Sequence, residues 1–350
     1  MGQLGWVWFG GKGAKIYCIP YFNFANNKFG IIDAQSNTLE ITSLNANTQT
    51  NYSWNSSVTI NDKAYCIPYQ KNGGNQFGII DSKSDLITFT TLGLSNQVEY
   101  WWRTSVAVGN NIYCIPAYDE NNSGNQFAII NTESNTLTLT NLGAATGIDY
   151  LWFKASVAGT KIYCIPAFHD GGGSNKFGII ETLSNTLTLT SLNLETDVAY
   201  DWQSSSTINN KIYCIPASSI NSNRFGIIDT QSNFVNITSM GLSGSINYDW
   251  KTVSVVGNKI YCIPLTNAGG NQFGIIDTTT DTITLTSLNA NPQINYWWFT
   301  SHTIGTKIYC IPAQGSLFGI IDTESNTLII TTMGDNTQTD YTWYTSAAVI

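Results

Sequence analysis

Seven cysteines, Cys18, Cys66, Cys114, Cys164, Cys214, Cys262 and Cys310, stand 48 or 50 residues apart, each inside a Tyr-Cys-Ile-Pro run. Thiols at fixed spacing can pair as disulfides or hold a metal, so they are the first candidates for chemistry. Their spacing argues against both uses. The count is odd, and equivalent points one repeat apart lie farther than the roughly 5.5 Å between Cα atoms that a disulfide wants. A metal site needs close pairs such as Cys-x-x-Cys, and the sequence has none. The thiols read as small buried hydrophobes, and free buried thiols point to a reducing compartment.

A second recurring set is acidic. Asp33, Asp81, Glu181, Asp229, Asp277 and Asp322 each follow an Ile-Ile pair, and Asn131 takes the same place in the third unit. Carboxylates in a row could be ligands or catalytic acids, but a role that Asn131 also fills needs no charge. The expected role is to accept backbone amides of the turn that follows. The two histidines, His169 and His302, do not recur. No Ser-His-Asp set, two-His metal motif or phosphate-cradling Gly-rich loop can be assembled. The sequence therefore predicts no catalytic residue, metal site or cofactor, and a protein that is not an enzyme.

The third set is aromatic. Tyr-x-Trp recurs as Tyr52/Trp54, Tyr100/Trp102, Tyr150/Trp152, Tyr200/Trp202, Tyr248/Trp250, Tyr296/Trp298 and Tyr341/Trp343. A large ring at a fixed place in every repeat suits a wedge between packed units, so the tryptophans are expected to be structural. The tyrosines two residues earlier are the candidate ligand contacts, edging the mouth of a central channel on the face that carries the variable loops.

These sets ride on one repeat. A tryptophan stands twelve residues before every cysteine, beginning with Trp6, and Trp343 opens a unit that the sequence does not finish. A period near 50 residues with four strand-like runs is the signature of propeller blades. In the third unit the expected strands are Ser105–Val108, Asn111–Ala117, Gln126–Asn131 and Thr136–Leu142. Ile-Tyr-Cys-Ile and Phe-Ala-Ile-Ile are apolar on both faces, as strands between neighbouring sheets must be, whereas Thr-Leu-Thr-Leu-Thr alternates and can be wet on one side. A very small residue precedes each Ile-Ile pair: Gly30, Gly78, Ala128, Gly178, Gly226, Gly274 and Gly319. Smallness there implies close approach, expected from an aromatic ring of the next blade. The C-terminal Ser346–Ile350 matches an inner strand without a blade of its own, so it is expected to complete the N-terminal blade. The fold class is all-β: residues 1–350 as one seven-bladed β-propeller of four-stranded antiparallel blades, with the ring closed by the C-terminal strand.

The order Ser-Val-Ala-Val-Gly-Asn, Ile-Tyr-Cys-Ile, then Asp or Asn with Ser-Asn-Thr before the outer strand resembles the kelch-type repeat of kelch and galactose-oxidase-like propellers across all seven units. Kelch units carry Gly-Gly after the second strand and tryptophan at the fourth. This chain has Ile-Pro and residues such as Leu39, Leu137, Leu187 or Ile283 there. The resemblance implies the propeller fold. Copper chemistry of the galactose-oxidase type would need histidine ligands that this chain lacks.

The net charge is −8, with 15 Lys and Arg scattered singly, so nucleic-acid and anionic-membrane partners are not expected. No apolar stretch is long enough to span a bilayer, and the N-terminus does not read as a signal peptide. Two functions fit. One is an interaction scaffold whose loops (21–28, 69–76, 118–126 and 168–176) bind a protein partner. The other is a lectin-like multivalent carbohydrate binder with repeated inter-blade pockets. A monomeric protein is expected. The free thiols favour a cytoplasmic location over a secreted or surface-associated one.

Overall fold

The structure is a computed structural model that describes residues 13–21, 28–42, 53–69, 76–94, 102–116, 126–143, 152–166, 176–192, 202–217, 224–240, 249–265, 272–288, 296–315, 317–334 and 343–350. They form seven four-stranded antiparallel sheets arranged as a ring. The second blade is typical: Trp54–Ile60 innermost, then Lys63–Pro68, Phe77–Asp81 and Leu86–Thr90 at the rim. In the first blade the innermost strand is Trp343–Val349, paired antiparallel to Lys15–Pro20, so the C-terminal segment closes the ring as expected. The first unit's own inner-strand position, residues 9–12, reads Phe-Gly-Gly-Lys, a poor strand sequence, and lies outside the described residues.

Burial follows sequence pattern. Every Tyr-Cys-Ile-Pro run is buried because a sheet lies against each of its faces, while the outer strands begin by alternating exposed positions with half-buried or, at Ile87 and Val235, buried ones. The hairpin between the first two strands opens on a residue with positive φ. That residue is Asn61 (52°) or Asn209 (53°), or a glycine such as Gly109 (58°), which adopts this region without steric cost.

Two expectations are corrected. The inner strand of the third blade begins at Trp102 rather than Ser105 and continues to Val108. A register shift between Trp102 and Thr104 lets pairing resume beyond one extra residue, so the tryptophan belongs to the strand and not to the connection before it. The outer strand ends at Thr140, not Leu142. Leu142 has left the strand with φ 51°, a region costly for a bulky residue. Three contacts hold it there: its N–H donates to Thr140 Oγ1 at 3.1 Å, its carbonyl accepts Leu187 N–H of the next blade at 2.9 Å, and its side chain is buried.

Candidate functional site

All seven inter-blade tryptophans, Trp54, Trp102, Trp152, Trp202, Trp250, Trp298 and Trp343, are buried. Each indole Nε1–H donates to a backbone carbonyl just before the third strand of its own blade. Examples are Trp54 to Gln76 O at 2.7 Å and Trp202 to Arg224 O at 2.8 Å. The ring therefore lies flat across its own sheet, over the glycine column. A Cβ built on Gly178 would stand 2.6 Å from Trp152 Cζ2, and one on Gly226 2.6 Å from Trp202 Cζ2. This corrects the expected origin of the covering ring, which comes from the same blade. The preceding blade is met on the ring's other side, where its phenylalanine packs at 5.9 to 6.2 Å between centroids in every junction.

The repeated tyrosine of Tyr-Cys-Ile-Pro was not singled out in the sequence, and it latches neighbouring blades. Tyr163 Oη–H donates to Asn233 Oδ1 at 2.6 Å, and Tyr113, Tyr213 and Tyr309 reach Asn185, Asp281 and Asn37 in the same way. Each acceptor is the positive-φ residue of the turn before the outer strand. Where that residue is Asp85 or Asp281, Lys15 or Lys211 of the preceding blade adds an ion pair. The seven cysteines are free and buried, and burial pushes their thiols up. The carboxylate after Ile-Ile behaves as expected. Asp33 Oδ1 accepts Gln35 and Ser36 N–H at 2.8 and 2.9 Å, and Asn131 does the same at its turn. These amides hold the Asp33 carboxyl below the usual range. Glu181 departs, since its longer side chain accepts Thr160 Oγ1 at 2.8 Å instead.

Six candidate contact tyrosines, Tyr52, Tyr100, Tyr150, Tyr200, Tyr248 and Tyr341, lie outside the described residues. The seventh, Tyr296, is 1% exposed and stacks on Trp298 at 3.9 Å, so its ring is not presented to solvent.

The structure instead brings together the residue after each tryptophan. Asn55, Arg103, Phe153, Gln203, Lys251, Phe299 and Tyr344 all line a half-open cavity of about 220 Å³ between the inner strands on the ring axis. They are linked around it. Arg103 lies 4.0 Å from the centroid of Phe153 and donates to Tyr69 Oη at 3.4 Å. Lys251 lies 4.7 Å from the centroid of Phe299 and donates to Gln203 Oε1 at 2.9 Å. Phe299 meets Tyr344 at 4.7 Å, Tyr344 meets Tyr21 at 4.7 Å, and Tyr21 faces Tyr69 at 6.4 Å. Tyr21 and Tyr69 open two of the loops expected to bind.

One residue further along, Ser56, Thr104, Thr252, Thr300 and Thr345 line the cavity in five blades and Lys154 in the fourth, while the equivalent Ser204 is buried. Hydroxyls bond across blades here, as in Ser57 with Thr345 at 2.8 Å and Ser156 with Ser205 at 2.8 Å. His302 Nε2 joins Ser346 Oγ at 2.9 Å, and enclosure pulls its pKa down to about 4, so it is neutral near pH 7. The signal that could have found this site is the column after tryptophan, where residue type changes from unit to unit.

No group of three or more His, Cys, Asp and Glu side chains is placed to hold a metal among the described residues. No described helix is long and apolar enough to cross a membrane. Neither a protein-family model nor a curated protein sequence matches this chain. Among solved structures, that of YjhT is similar with a TM-score of 0.55 and 8% identity, over 81% of this chain and 98% of that one. A likeness at that identity speaks to fold alone, and with the seven sheets it makes this chain a seven-bladed β-propeller.

Proposed function

We propose that the chain is a non-enzymatic, kelch-like binding propeller that docks a protein partner on its loop-bearing face, centred on the mouth of the axial channel. The observation that carries this reading is the ring of residues after tryptophan. In a chain whose strands largely repeat from unit to unit, that column holds Asn, Arg, Phe, Gln, Lys, Phe and Tyr, and several of the side chains contact one another around the axis. An asymmetric ring suits one asymmetric partner, and aromatic and arginine side chains are those that carry binding energy at interfaces. Burial of the tryptophans between blades favours this face over seven equivalent carbohydrate pockets built on them. The buried free thiols favour a reducing compartment.

The test is affinity capture with the full chain beside a glycan array, comparing the parent with an Arg103→Ala/Phe299→Ala variant. Protein partners should be recovered by the parent and lost by a variant of unchanged melting. Recovery of the same partners by both, or binding to glycans alone, would overturn the reading.

A further inference from the structure

We propose that the axial channel is an anion site that admits a carboxylate or phosphate group between Arg103, Lys154 and Lys251. The inference rests on the binding role of this face and names the chemistry that enters it.

Three of the 15 Lys and Arg of an acidic chain line one half-open space, and no Asp or Glu lines it among the described residues. Each cation is held differently. Arg103 and Lys251 lie against aromatic rings, and each donates to a neighbour, Arg103 to Tyr69 Oη and Lys251 to Gln203 Oε1. Lys154 stands where every other blade has a serine or threonine, and it has no hydrogen-bond or ion-pair partner among the described residues. Lys154 is solvent-exposed within the channel, and the protein atoms crowding it together with the charge of Arg103 hold its ammonium below the usual lysine range. The surrounding hydroxyls add neutral donors. A volume of about 220 Å³ has room for roughly seven waters, so the group that enters is small.

The competing crevice, about 290 Å³ between the second and third blades on the opposite face, mixes both signs. Its Lys83 already pairs with Asp62 at 2.7 Å.

The experiment is isothermal titration calorimetry of the full chain at fixed ionic strength with citrate, inorganic phosphate and acetyl-Glu-Glu-Glu-amide as separate probes. Saturable binding of at least one is expected. Citrate alone would mark a free carboxylate, phosphate alone a phosphoryl group, and the peptide an acidic segment of a partner. Lys154→Thr restores the residue that other blades carry there and should fold, yet weaken binding by about tenfold or more, as loss of a charge-assisted bond would. Arg103→Gln is the second variant, with the same expectation. Lys259→Thr, exposed on the face that carries the tight turns, should bind like the parent. Failure of all three probes to bind, or parental affinity in both Lys154→Thr and Arg103→Gln, overturns the proposal. If the probes fail while the Arg103→Ala/Phe299→Ala variant still loses its partner, the face keeps its binding role and only the anion assignment falls.

Discussion

Between the blades, one set of contacts is made seven times, whereas around the axis the corresponding column is filled by six kinds of side chain. At each junction a tryptophan lies over a glycine or alanine column, a phenylalanine packs on its far side, and a cysteine and an isoleucine fill the space between sheets. Stacking one sheet on the next poses the same geometric problem every time, and the same residues solve it. The axis poses no such problem. Its side chains face a shared space, and no neighbouring sheet dictates their shape. The contrast teaches that repetition marks the work of packing in this chain, and departure from the repeat marks where recognition can be built.

The sharpest way to act on the repeated region alone is alkali. Burial raises each thiol above its ordinary value of 9.0, so the unfolded chain ionises at a pH where the folded one does not. Their contribution to stability is complete below pH 9 and is lost as pH rises, by about 1.4 kcal/mol per thiol per pH unit. The latch tyrosines act in the same direction from their ordinary value of 10.0, Tyr163 being pushed up to about 12. Urea denaturation at pH 8, 9 and 10 should show stability falling by several kcal/mol across the last step. A flat profile would mean that the thiols are not sealed in the folded state.

Removing one wedge comes next. Trp202→Ala should cost about 3–5 kcal/mol, because the ring fills the space between two blades and its loss leaves a cavity. Filling the space under that ring is smaller. Gly226→Val should cost about 1–3 kcal/mol through overpacking against Trp202, and Gly226→Ala less, since the third blade carries Ala128 at this position. Denaturation midpoints of the three proteins check the order, and a valine variant as stable as the parent would remove the close-contact account. Smaller again, Tyr163→Phe breaks one inter-blade latch and leaves Asn233 Oδ1 without its donor. This costs about 1 kcal/mol, readable in the same assay.

Much of this was legible in the sequence, because identical problems leave identical residues. The period, the four strands per unit, the closing strand, the free thiols and the amide-accepting Asp33 and Asn131 all follow from columns that repeat. What the columns did not disclose is direction. A glycine facing a ring reads the same whether Trp202 reaches over its own sheet or a neighbour's. The register shift at Trp102 that draws the tryptophan into the strand likewise has no residue signature. The tyrosine of Tyr-Cys-Ile-Pro was hidden by its regularity, as a core residue whose hydroxyl happens to meet Asn233. The channel was hidden for the opposite reason. Arg103, Phe153 and Gln203 share no chemical type, so no motif joins them, and only the ring geometry brings them to one space.

The separation of packing from recognition is tested most directly by comparing the melting of two variants under one set of conditions. One carries Arg103→Asn, Lys251→Asn and Phe299→Asn together, each substitution introducing the residue that the second blade holds there as Asn55. The other carries Trp202→Ala alone. Cation–π and ring contacts beside solvent contribute about 0.5–1 kcal/mol each, less in sum than one inter-blade cavity. The triple channel variant should melt above the single tryptophan variant and close to the parent. If the triple variant melts below Trp202→Ala, the residues around the axis are part of what holds the ring together, and the division between the two regions is contradicted.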